Sequence, residues 1–196
     1  MNMDGTTFSD ASAAPLDTDI YRTASTLVNA NNLLRGLIAV LLLTFTGLVY
    51  YSLRDTSAKE GQPAPLFSIK TDQGQSVTPT SFGGKVLVLN FWATWCSPCI
   101  EEIPSLNQFQ RRFAKEGVVV VAVSIDKNPE KYKAFLSRIP VAFQTLRDPN
   151  ADVSSEYGTY QIPESYVIKN GIVMRKFPNE AEWMSDDVTQ YIQSLL

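Results

Sequence analysis

Val86-Leu87-Val88-Leu89-Asn90-Phe91-Trp92-Ala93-Thr94-Trp95-Cys96-Ser97-Pro98-Cys99 is the stretch that decides the fold. Its first seven residues form a strand-like run without alternation, the pattern of a central strand buried on both faces. The run delivers two cysteines, three positions apart, to a helix start. Pro98 suits the first helical position, where a missing N–H costs nothing. Unpaired N–H groups and the positive end of the helix dipole favour a thiolate at Cys96. These are the only cysteines among 196 residues, too few for a disulfide framework, so the pair is redox-active, metal-binding or an incidental local bond. Thiol–disulfide chemistry is the first expectation.

Composition narrows the alternatives. The chain has no histidine, which removes imidazole-based triads, Cys-His nucleophile pairs and the commonest transition-metal ligand. With no further cysteine, it cannot complete a usual zinc site alone. A net charge of −3 and basic runs no longer than two residues, such as Arg111-Arg112, argue against a nucleic-acid partner. The 44% hydrophobic content supports one core of ordinary domain size plus extra segments.

Upstream of this stretch, Gly36 to Leu53 carries no charge and is flanked by Arg35 and Arg54. Extended back to Leu33, it approaches the ~20 residues that cross a bilayer. A transmembrane helix is therefore expected over 33–53, with Tyr50 and Tyr51 at one interface. A cleaved secretory signal would have an apolar core of about 7–15 residues nearer the N-terminus, and a core helix would need a patterned cover that the neighbours do not supply. Residues 1–32, polar and poor in large apolar side chains, are expected to be a disordered tail, with a short helix at 19–29 as the alternative. Residues 54–65, ending in Pro63-Ala64-Pro65, read as a linker, and a single domain is expected over 66–196. The charge count on the two sides of the span ties, Arg22 and Arg35 against Arg54 and Lys59. Placing the domain outside the cytoplasm rests on where disulfides persist.

Within the domain, 66–70 and 76–78 read as a hairpin. A helix from Cys99 carries Ile100, Ile103, Leu106, Phe109 and Phe113, with Pro104 expected to kink it and an end near Gly117. A second buried strand follows at 118–125, then a helix opened by Asn128-Pro129, a strand near 143–146 and a short helix at 151–158. Asn170-Gly171 between two apolar runs signals a hairpin, and 186–195 is an amphipathic helix.

Trp95-Cys96-Ser97-Pro98-Cys99, preceded by Asn90-Phe91-Trp92-Ala93-Thr94, resembles the active site of the thioredoxin superfamily. It is most similar to the membrane-anchored, extracytoplasmic TlpA/ResA/CcmG-like branch, over about residues 61–196. The resemblance implies an α/β thioredoxin-like fold, a central mixed sheet flanked by helices, with an N-terminal β-hairpin and a βα insertion within 118–148. It also implies that Cys96 is the attacking thiolate, Cys99 the resolving thiol and Cys96–Cys99 the redox-active disulfide, with no cofactor and no metal. Cys96 is expected to be exposed and Cys99 shielded. Ile162-Pro163 resembles the family's cis-proline. Trp95, Pro98, Ile162 and Pro163 are then expected around the substrate groove, with Trp92 in the core.

The chain also departs from the family pattern. Thioredoxins proper carry a buried Asp where this chain has Asn90, and an amide cannot take a proton. Glu102, three residues after Cys99 on one helical face, matches the glutamate of the ResA-like branch and is expected to be catalytic. The competing reading puts Glu102 beside Glu101 on a solvated face. Glu164, where relatives often have Thr, is expected to bring a negative charge to the groove.

The implied partners are a disulfide-containing client protein, a membrane electron-donor protein and the lipid bilayer, and parts of the family act in cytochrome c maturation. Two rival functions are weighed. A thiol peroxidase expects a Pro-x-x-x-Thr-x-x-Cys loop, which the sequence lacks, and a copper-delivery module would use the two thiolates as ligands.

Overall fold

The computed structural model describes residues 18–52, 57–70, 74, 76–82 and 86–196. The chain divides into two units at Arg54 and Asp55. The first is helix α1, Thr18–Ser52, whose segment Asn31–Ser52 is long and apolar enough to cross a membrane, with a mean hydropathy of 2.0. The helix starts at Thr18, so residues 18–32 are helical and not the expected disordered tail. They contain neither Gly nor Pro, and adding residues to an existing helix costs far less than nucleating one. The rest of the expected tail, residues 1–17, lies outside the described residues.

The second unit is built on strand β3, Val86–Trp92, all seven residues of which are buried. A small hairpin precedes it, β1 (Ile69–Lys70) with β2 (Ser76–Val77). Strands β4 (Val118–Ser124), β5 (Gln144–Arg147), β6 (Glu164–Lys169) and β7 (Ile172–Phe177) complete a five-stranded sheet in the order β5-β4-β3-β6-β7. β3 is parallel to β4 and antiparallel to β6, so the sheet is mixed. The helices are α2 (Ser97–Phe113), α3 (Pro129–Arg138), α4 (Asp152–Glu156) and α5 (Asp186–Leu195). β4, α3 and β5 occupy the stretch expected to hold the βα insertion.

Alternation along β3 sorts the core into two layers. Val86, Val88 and Trp92 pack with Ile103, Leu106, Phe109 and Phe113 of α2 and with Val188 and Ile192 of α5. Leu87, Leu89 and Phe91 face Phe67, Val153, Tyr157 and Tyr166. Asn90 falls on the α2 side. That placement brings a polar side chain of the central strand under the helix that carries the cysteines.

Local signals fix the element ends. Asn128 caps α3 by accepting from Lys131 N–H, and Ser185 caps α5 by accepting from Val188 N–H. Asn170 (φ 52°) and Gly171 (φ 76°) make the two-residue β6–β7 turn that Asn-Gly favours. α2 continues as one helix through Pro104 and ends in a short 3₁₀ turn closed by Gly117 at φ 95°.

The expected linker is part of the folded unit from Ser57 onward. Ala58 N–H donates to the Tyr157 carbonyl, Gly61 N–H to Val173, and Ala64 N–H to Gly171, while Val173 N–H donates back to Gln62. Ala58 is buried. Tyr157 OH donates to the Pro65 carbonyl. Proline and glycine make 57–65 read as a linker, but a segment added at a sheet edge tolerates both, because only half of its backbone groups face the sheet.

Candidate active site

β3 ends at Trp92, and the chain turns through Ala93–Trp95 into α2, placing Cys96 at the N-cap with extended geometry (φ −96°, ψ 104°). α2 begins at Ser97, so Pro98 occupies its second position, one later than expected, where its missing N–H is still harmless. Cys99 N–H points at Cys96 Sγ at 3.3 Å, a donor to any charge that develops on that sulfur. The two cysteines form a disulfide, Cα–Cα 5.3 Å.

Cys96 is only 6% exposed, against 1% for Cys99, so the expected contrast between an open and a shielded sulfur is small in this oxidised state. The Ile162 carbonyl oxygen lies 3.7 Å from Cys96 Sγ, and the bond to Cys99 covers another side. The Ile162–Pro163 peptide is cis. Trp95 stands 65% exposed beside the pair, whereas Trp92 is buried against Tyr132 and Phe135. Next to Trp95 an open groove of about 810 Å³ is walled by Ile125, Lys127, Lys131 and Asn150, enough for a short peptide segment.

Glu102 is buried, whereas its neighbour Glu101 is exposed. Its Oε1 accepts from Asn90 Nδ2 at 2.7 Å, and its Oε2 accepts from Ala181 N–H at 3.1 Å and Trp183 Nε1 at 3.4 Å. Asn90 also donates to Ser165 Oγ at 2.9 Å. All these donors are neutral, and burial raises the Glu102 pKa above the ordinary carboxylate value despite the hydrogen bonds, with Glu180 adding in the same direction. Among the described residues no cation faces this carboxylate.

Glu164 does not reach the groove. It lies on the opposite face of β6 from Ser165 and is buried. Its Oε1 pairs with Lys176 Nζ at 2.8 Å, and its Oε2 accepts from Thr159 Oγ1 and Tyr166 OH. The strand's alternation turns the residue after Pro163 away from the cysteines.

Three contributors lie outside the expected site. Ala181 and Trp183 belong to the segment between β7 and α5 and meet Glu102 across about 80 residues of sequence. Asp126, just past β4, accepts from Thr94 N–H at 2.9 Å and Thr94 Oγ1 at 2.7 Å. Only Trp183, which with Met184 interrupts a polar stretch, left a trace in the sequence.

Comparison with known proteins agrees with this geometry. Residues 60–176 match the AhpC/TSA family. The thioredoxin-like protein YneN of Bacillus subtilis is 33% identical over 147 residues, covering 71% of this chain and 85% of that protein. The thiol-disulfide oxidoreductase ResA of Bacillus cereus is 28% identical over 170 residues, covering 84% and 97%. Among solved structures, a putative thiol:disulfide interchange protein DsbE from Chlorobium tepidum is 31% identical with a TM-score of 0.65, covering 71% of this chain and 99% of that one. The cysteine pair at the N-cap of α2, the mixed sheet that holds it and these likenesses agree: the chain belongs to the AhpC/TSA family, as a thioredoxin-like thiol-disulfide oxidoreductase of the ResA/DsbE type.

Proposed function

We propose that this chain is a membrane-anchored reductase of disulfides in extracytoplasmic client proteins, with Cys96 as attacking thiolate, Cys99 as resolving thiol and Glu102 as the proton acceptor for Cys99. The observation that carries the reading is the asymmetry around α2. Cys96 caps the helix beside the Ile162 carbonyl, while Cys99, one turn in, shares the helix with a buried carboxylate of raised pKa.

The Cys96 thiolate attacks one sulfur of the client disulfide, and the other leaves as a thiolate. Glu102 accepts the Cys99 proton. The Cys99 thiolate then attacks Cys96 Sγ, releasing the second client sulfur and leaving the Cys96–Cys99 disulfide, so two electrons pass to the client. A membrane electron-donor protein restores the dithiol. Trp95, Pro98, Ile162 and Pro163 border the path by which the client reaches Cys96. Cytochrome c maturation is the process in which such a client is sought first.

The apolar segment Asn31–Ser52 supports the anchor, and the persistence of disulfides outside the cytoplasm, together with the likeness to thiol-disulfide oxidoreductases, supports the extracytoplasmic side. A Cys99→Ser variant is expected to accumulate a mixed disulfide between Cys96 and a client, read by mass spectrometry after thiol trapping. Absence of adducts, or adducts independent of Cys96, overturns the assignment. A reporter active only outside the cytoplasm, fused after Lys59, is expected to be active; a stably made but inactive fusion overturns the orientation.

A further inference from the structure

We propose that Asp126 is a positioning residue for the redox turn: through Thr94 it holds the Ala93–Cys96 segment so that Cys96 stays at the N-cap of α2. The β3–β4 ladder runs out immediately before this segment. Its last register pair is Trp92 with Ser124, and its last backbone bond runs from Ile125 N–H to the Trp92 carbonyl. Beyond that point the chain leaves the sheet, and the Asp126 carboxylate takes over. Oδ2 accepts from Thr94 N–H at 2.9 Å and Ser124 Oγ at 2.6 Å, and Oδ1 accepts from Thr94 Oγ1 at 2.7 Å. Asp126 N–H donates back to Ser124 Oγ at 3.0 Å.

Asp126 is 4% exposed. Burying a carboxylate is costly unless its oxygens are filled, and an apolar pair would serve a purely structural contact as well or better. Here all three donors come from two residues at the exit of the paired strands, one of them two positions before Cys96. In the oxidised chain the Cys96–Cys99 bond also restrains the turn. Once that bond is reduced, Cys96 keeps its N–H bond to the Ala93 carbonyl, its carbonyl bond from Ile100 N–H and the Cys99 N–H and Ile162 carbonyl beside its sulfur, while the bonds from Thr94 to Asp126 tie the turn to the end of β4. The clamp therefore matters most in the dithiol state, when Cys96 must present a thiolate to the N–H groups of α2.

The sign of one measurement separates this role from a plain charge effect. A carboxylate acting only as a nearby negative charge disfavours a thiolate, so Asp126→Asn would lower the Cys96 pKa and speed its alkylation. A positioning residue predicts the opposite, because Asn offers one acceptor oxygen where three donors converge. Cys96 alkylation by iodoacetamide is followed against pH in the full-length chain carrying Cys99→Ser.

In that background, Asp126→Asn is expected to slow alkylation about tenfold near neutral pH and to move the profile to higher pH. Thr94→Val removes one donor, leaves the carboxylate with its Ser124 contact, and is expected to slow it about threefold, while Thr94→Ser stays within about twofold of the parent. Unchanged or faster alkylation in Asp126→Asn overturns the proposal, as does a Thr94→Val rate equal to that of Thr94→Ser. Thr94→Val keeps the test decisive if Asp126→Asn does not fold. The inference rests on Cys96 being the attacking thiolate, and a failure of that reading is distinguishable: client adducts then form without Cys96 in the trapping experiment.

Discussion

Glu102 and Glu164 are the same residue type, equally buried at 5% and 6%, on opposite faces of one sheet, yet they are solvated in opposite ways. Glu164 meets an ammonium and two hydroxyls, so its charge is cancelled locally by Lys176. Glu102 meets an amide, a backbone N–H and an indole, all neutral, and its pKa is raised. Burial alone, then, does not give a carboxyl group a function. A buried acid beside a cation is a structural tie, whereas one held by neutral dipoles can change protonation without leaving a countercharge stranded.

The largest expected effect sits on the convertible acid. Glu102→Gln keeps the shape of the group and removes the proposed proton acceptor, and it is expected to slow client-disulfide reduction by about a hundredfold, a size typical of general acid–base catalysis. Stopped-flow reduction at several pH values checks this, and a rate unchanged across the range breaks the comparison. The same variant carries a stability signature. Because the folded pKa is raised, the folded chain binds this proton more tightly than the unfolded one, so the contribution is fully present below the ordinary value of 4.5 and is lost as pH rises through the folded value. Asp148, also raised by burial, acts in the same direction. Denaturant unfolding is therefore expected to show the parent losing stability with rising pH, and Glu102→Gln losing less.

The tie predicts a different outcome. Lys176→Met leaves Glu164 buried beside two hydroxyls with no cation, at an expected cost of roughly 2 kcal/mol of stability, below the full cost of a broken buried pair because Lys176 is partly exposed. Reduction by the folded fraction is expected to hold near the parent rate, and a hundredfold loss there would erase the distinction between the two acids. The smallest effect is expected from Trp183→Phe, which keeps an aromatic ring against Phe109 and Phe177 but removes one donor from Glu102. It is expected to raise the Glu102 pKa further, moving the pH profile of reduction upward, at about 1 kcal/mol of stability or less.

Much of the architecture was legible because it rests on local chemistry. The non-alternating run of β3, apolar but for Asn90, the Asn-Gly turn, the Asn128-Pro129 start and the period of α5 each name their element without help from distant residues. The placement of Cys96, Cys99 and Glu102 at the start of one helix was legible for the same reason, since one helical turn relates Cys99 to Glu102. What stayed hidden depends on contacts between remote segments. Ala181 and Trp183 reach Glu102 from about 80 residues away, and Asp126 reaches Thr94 from 32 away. Glu164 was misplaced because Ile162 and Pro163 just before it lie beside Cys96, while strand alternation sends consecutive side chains to opposite faces. The start of α1 fell to the alternative reading, a helix at 19–29, because Ile20, Ala24, Leu27 and Val28 recur at helical spacing while the polar residues between them favour a disordered tail.

The segment 57–65 has a consequence for how the domain avoids its own kind. β7 is a sheet edge, and a free edge is a template for pairing with another chain. Gln62 takes the outward N–H of Val173, Gly61 donates to the Val173 carbonyl, and the Glu60 carboxylate takes the N–H of Lys176. A soluble fragment cut at Leu66, where composition places the domain start, would uncover that edge and invite strand-to-strand association, whereas one beginning at Ser57 keeps the segment that covers it.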